Sequence, residues 1–117
     1  MPRLLCTAPP AAAFSEPLRL STDLRAGRVS LAGDLDRTAA HHVLPALEAL
    51  TATEARVWTV DVAGLTFCDV AGLRALARAA HLAESGGRKL HVQHPSPLLV
   101  HMLTLLGLRR LVGHGSS

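Results

Sequence analysis

Aspartates 34, 36, 61 and 69 fall in the short segments GDLD, VDV and FCDVAGL. Two carboxylates that converge can divide general-acid and general-base work between them. That chemistry needs a nucleophile or a paired base, and neither accompanies these residues in sequence. Helix capping is the simpler account of Asp36 and Asp69. A carboxylate just ahead of a helix accepts from the free N–H groups two or three residues on, which stabilises by about 1 kcal/mol. Cys68 precedes Asp69 directly, but no histidine lies near it in sequence to activate it, so it reads as a packed thiol. Seven histidines stand at 41, 42, 81, 91, 94, 101 and 114. The adjacent pair points in different directions on a helix, and no two lie at i, i+4 on one helix. No glycine-rich phosphate loop or dinucleotide fingerprint is present. The residues therefore assign no catalytic group, no metal and no cofactor.

The chain around them bounds the remaining options. Its 117 residues suit one domain, and a 49% hydrophobic content suits a real core. Phe14, Trp58 and Phe67 are the only aromatics, so the core is built from Leu, Val and Ala. A stacking platform for single-stranded nucleic acid is not expected. The net charge is +3, but the basic residues are scattered, and their largest clusters are the pairs at 88–89 and 109–110. Direct nucleic-acid binding needs a basic stripe on one face. No apolar run reaches the ~20 residues that cross a membrane. Cys6 and Cys68 form neither a metal motif nor a disulfide framework, which suits a reducing, cytoplasmic setting. Residues 1–17 read as a flexible leader, 18–114 as the domain and 115–117 as a tail.

Alternation predicts a hairpin over 18–33, with Leu18, Leu20, Val29 and Leu31 inward and a turn at Ala26–Gly27. Gly33 is expected to end the second strand. A helix follows with Asp36 as N-cap, and Pro45 should bend or split it. ARVWTVDV reads as a strand buried on both faces. AGLTFCD is the connection, and Asp69 is the next N-cap. In the helix from Val70, Leu73, Leu76, Ala80 and Ala83 share one face, while Arg74, Arg78 and His81 share another. Gly86–Gly87 ends that helix. RKLHVQH is a short strand. Ser96 caps a third helix with Pro97 at its first position, and Gly107 stops it. RRLVGH is a candidate last edge strand. The order predicts an α/β fold with a mixed sheet of four to five strands covered by three to four helices.

Three segments carry a family resemblance: GDLDRTAA, VDVAGLTFCDVAGLRAL and HPSPLLVHMLTLLGLRRLV. Together they resemble the STAS domain, and in particular the bacterial anti-sigma-factor antagonists, over roughly residues 18 to 114. The resemblance implies a non-enzymatic regulator of transcription whose partner is an anti-sigma factor of the serine-kinase type. It implies contact through the turn from Asp69 to Leu73, that is Asp69, Val70, Ala71, Gly72 and Leu73, together with Asp36 and Arg74. In such antagonists the kinase phosphorylates a Ser or Thr directly after the motif Asp, and about two added negative charges break the complex. Here Val70 stands at that position, so the phosphosite is lost, and Ala71 removes the neighbouring hydroxyl too. The nearest upstream hydroxyl, Thr66, lies on the wrong side of the cap. The alternative is a degenerate STAS module that binds a small ligand or acts as a scaffold. A homodimer stays open.

Overall fold

Gly27, at φ +66°, turns the chain between two antiparallel strands, β1 (Arg19–Asp23) and β2 (Arg28–Leu35). The computed structural model describes residues 17–112. The tail, the leader before Pro17, Cys6 and His114 lie outside them. After β2 come α1 (Val43–Glu48), β3 (Val57–Cys68), α2 (Val70–Ser85), β4 (Lys89–Gln93) and α3 (Pro97–Leu105). The sheet has four strands in the order β1-β2-β3-β4. β2, β3 and β4 are mutually parallel. A parallel pair needs a crossover, which α1 supplies between β2 and β3 and α2 between β3 and β4.

The expected mixed α/β sheet is therefore observed, with four corrections to its strands. β3 is not buried on both faces. Trp58, Val60 and Val62 are buried, while Val57 is 47% exposed and Thr59 and Asp61 are half-buried. Side chains alternate across a strand, and the core residues lie on one face of the sheet. The other face is polar. There Arg28 of β2 donates to Asp61 of β3 at 3.0 Å and to Gln93 of β4, and His94 Nδ1 lies 3.2 Å from Asp61. Burial works to raise the Asp61 carboxyl, but the Ala63 N–H, His94 and Arg28 outweigh it and hold the group below its usual value.

Gly33 does not end β2, because φ +90° and a register shift beside it carry the strand through to Leu35. β3 likewise continues to Cys68, where a connection was expected, because its later half pairs with Ala32–Leu35. Instead of a last edge strand, Arg109–Leu111 form a 3-10 turn, and Val112 makes a single parallel bridge to Val92.

The first helix also differs. Asp36 caps a turn, accepting from the N–H groups of Thr38 and Ala39 at 3.1 and 3.2 Å. The α-helix begins only at Val43, after a 3-10 segment at Ala40–His42, and a second 3-10 segment at Ala49–Ala52 follows it. This start places Pro45 in the first turn. N–H groups there have no intrahelical acceptor, so the proline removes no helical bond.

α2 follows expectation. Leu73, Leu76, Ala80 and Ala83 are buried, and Arg74, Arg78 and His81 are exposed. Ser96 Oγ accepts from the Leu99 N–H at 3.1 Å at the start of α3. One core joins the helices to the inner face of the sheet around Trp58, Leu31, Leu47, Leu76 and Leu103. Each such side chain contributes about 1.5–3 kcal/mol on burial. Arg88 closes the far end. It donates to the carbonyls of Thr51 and Thr53 at 3.2 and 3.0 Å, and its guanidinium lies 5.5 Å from the centre of the Trp58 ring.

Close packing is tightest at Gly72 in the first turn of α2. A Cβ there would sit 2.5 Å from the Leu35 carbonyl oxygen and 2.9 Å from Cys68 Sγ, whereas at Gly86 the nearest atom would be 3.6 Å away. Gly72→Ala is expected to destabilise by about 1–3 kcal/mol, and Gly86→Ala to stay within about 0.5 kcal/mol of the native protein. Urea unfolding of the two variants checks this, and equal effects would contradict the packing account.

Candidate functional site

β2 and β3 end side by side, with Leu35 paired to Cys68. Beyond them the chain must turn twice, once toward the 3-10 segment and once into α2. Asp69 holds both turns. It is the N-cap of α2 in an extended conformation, and its Oδ1 accepts from the Gly72 N–H at 3.0 Å. Its Oδ2 accepts from the Arg37 N–H in the other turn at 3.1 Å. The Asp69 N–H in turn donates to the Leu35 carbonyl at 3.2 Å. Thr66 adds a further link by donating its hydroxyl to Asp34 Oδ1 at 2.8 Å. Asp36 also organises the first turn, through the Thr38 and Ala39 N–H groups and the Thr38 hydroxyl. The Thr38 hydroxyl does most to hold its carboxyl below the usual range, against burial, and the Ala39 and Thr38 N–H groups add to that.

These bonds fix what the surface presents. Val70 is 58% exposed and Phe67 is 52% exposed. Arg74 is exposed one turn further along α2, and Ala71 is half-buried. Gly72 and Leu73 face inward and are buried. Of the turn residues singled out in the sequence, Val70, Ala71 and Arg74 therefore reach the surface, while Gly72 and Leu73 hold the helix in place. Asp36 and Asp69 belong to adjoining turns joined through the Arg37 backbone.

Sequence reasoning passed over the neighbour of this turn. A cavity of about 580 Å³ lies between the end of β3 and α3, and Val62, Leu65, Phe67, Val70, Leu99 and Met102 are among its walls. Leu98 stands at its edge, 66% exposed. A signal existed in the sequence. α3 carries the pair Leu98–Leu99 in its first turn, and two adjacent leucines cannot both face one core.

The site contains little with which to make or break bonds. Burial, and then the charge of Asp69, push the Cys68 thiol up to about 11. That thiol stays protonated near neutrality and is a poor nucleophile. Among the described residues no group of three or more His, Cys, Asp or Glu could hold a metal ion. No helix among them is long and apolar enough to cross a membrane.

The family model described as Mlab, STAS domain, matches residues 18–113. The chain belongs to the STAS-domain family. Solved structures agree on the fold. The anti-sigma factor antagonist SpoIIAA in its unphosphorylated form superposes with a TM-score of 0.66 at 17% identity, over 83% of this chain and 86% of that one. The phosphorylated form of SpoIIAA, a Bacillus cell fate determinant, gives 0.64 at 17% identity over 83% and 89%. An anti-sigma factor antagonist from Mycobacterium paratuberculosis gives 0.63 at 20% identity over 82% and 81%. No curated protein matches the chain in sequence. In this STAS domain the strand-to-helix turn is built around Asp69 and ends in an apolar, exposed Val70.

The two oxygens of Asp69 are separable. Asp69→Ala removes both acceptors and is expected to destabilise by about 1–2 kcal/mol. Asp69→Asn keeps one carbonyl oxygen, but turns an amide N–H₂ toward one of the two backbone donors. It should therefore recover only part of that loss. Thermal unfolding of the two variants measures the difference, and full recovery by Asn would mean that only one bond matters.

Proposed function

We propose that the chain is an antagonist-like regulator that binds an anti-sigma factor of the serine-kinase type through the start of α2, and that this binding is not reversed by phosphorylation there. One observation carries the reading. The residue after the capping aspartate is a valine, and it stands 58% exposed at the first turn of the helix. The family resemblance places a phosphorylated hydroxyl at that position, and a valine has none. Two of the similar structures are the unphosphorylated and phosphorylated forms of one antagonist, which supports phosphorylation as the kind of switch an antagonist of this fold carries.

In this reading the residues divide their work. Asp69, Gly72 and Leu73 set the helix, Val70 and Ala71 offer an apolar contact, and Arg74 offers a charge. Asp36 shapes the adjoining turn. Phosphate at this point would add about two negative charges beside Asp69 and Asp36, and like charges repel. With Val70 no phosphate can be added at this position. The protein acts by recognition rather than catalysis, in the cytoplasm, on transcription.

Titration of a kinase-type anti-sigma factor in the presence of ATP, against the native chain and Val70→Ser, tests this. The native chain should bind and remain bound. Val70→Ser should gain phosphate and lose more than about tenfold in affinity. If neither protein binds such a factor, the antagonist reading fails and the scaffold or ligand-binding reading replaces it.

A further inference from the structure

The cavity beside the Asp69 turn reaches deep. Its walls include Val62 and Leu99, core residues 3% and 5% exposed, and it opens past Phe67, Val70 and Leu98. Its volume of about 580 Å³ falls inside the range of roughly 300–1,000 Å³ typical of small-molecule sites, which combine apolar walls with a few polar groups. A flat protein surface would leave such a depth unfilled, so the depth favours a small molecule over a protein surface as the occupant.

The polar groups on its wall restrict the chemistry further. Among the described residues no Lys or Arg lines the cavity. Asp69 brings a negative charge to its rim, with each oxygen already accepting a backbone N–H. Cys68 is a neutral thiol. The His94 ring meets Asp61 through Nδ1, which leaves Nε2 as a polar atom at the wall. An anion entering here would lose its water and meet Asp69 with no Lys or Arg among the described wall residues to answer it. Two hydroxyls stand beside these groups. Thr66 gives its proton to Asp34, so its oxygen still accepts, and Ser96 accepts from Leu99, so its O–H still donates.

We propose that this cavity binds a neutral, largely aliphatic molecule that carries one hydroxyl or carbonyl group. The aliphatic part fills the space between Val62, Leu65, Leu99 and Met102. The oxygen function lies toward Thr66 and Ser96. This site holds whether or not an anti-sigma factor docks on the neighbouring turn.

Displacement of the neutral fluorophore phenylnaphthylamine by octanol and by octanoate tests it on the full chain. Octanol should displace the probe saturably, and octanoate at least about tenfold more weakly. Leu98→Ser changes an exposed wall residue and should weaken octanol about tenfold, as expected when an aliphatic side chain leaves the wall. Met102→Trp should fill the space and abolish binding while unfolding stays cooperative. If that variant does not fold, Leu98→Ser decides the matter. Failure of octanol to displace the probe, equal displacement by octanoate, or unchanged affinity in Leu98→Ser would overturn the proposal. So would a probe displaced only by a protein partner.

Discussion

The Asp69 carboxylate accepts one backbone N–H from each of two turns, Gly72 in α2 and Arg37 after β2. The Thr66 hydroxyl on Asp34 links the same two strand ends a few residues earlier. Parallel strands must end beside each other and then part, which leaves free N–H groups at both exits. A single carboxylate satisfies one at each exit and locks the exits together. A neutral cap could serve α2, but it would not supply two acceptor oxygens.

That lock sets the rest of the neighbourhood. α2 starts so close to β2 that only a residue without a Cβ fits at Gly72. Leu73 and Leu76 can then enter the core, and the small residues Ala79, Ala80 and Ala83 let the remainder of the helix lie close to its neighbours. Val70 is turned outward by the same geometry. Its exposure is not a packing defect, because the next positions are committed to the core and leave it no inward direction. The cavity follows from the same arrangement, since α3 covers the core beside β3 but does not close over the end of that strand.

Much of this was legible in the sequence. The Asp69 cap, the inner face of α2, the Ser96 cap and the Gly27 turn each follow from local chemistry acting within a few residues. The misreadings share a different cause. β3 read as buried on both faces because Ala55, Val57, Trp58, Val60 and Val62 make ARVWTVDV a nearly continuous apolar run, yet the helices all lie on one side. Only the tertiary arrangement decides that a strand has one wet face. The continuation of β2 through Gly33 depends on a bulge against β3, a partner thirty residues away in sequence. Asp36 was read as the cap of a helix that begins seven residues later. The second bond of Asp69, to Arg37, spans a similar distance and leaves no local trace. The cavity was hidden for the same reason, although the paired leucines of α3 carried its signal.

The most direct measurement is amide hydrogen exchange at Arg37 and Gly72 in the native chain and in Asp69→Ala. Each N–H donates to one oxygen of the same carboxylate. Removing that carboxylate should free both, so both amides are expected to lose protection by about tenfold or more. If Gly72 loses protection alone while Arg37 is unchanged, Asp69 is an ordinary helix cap and the turns are not locked by it.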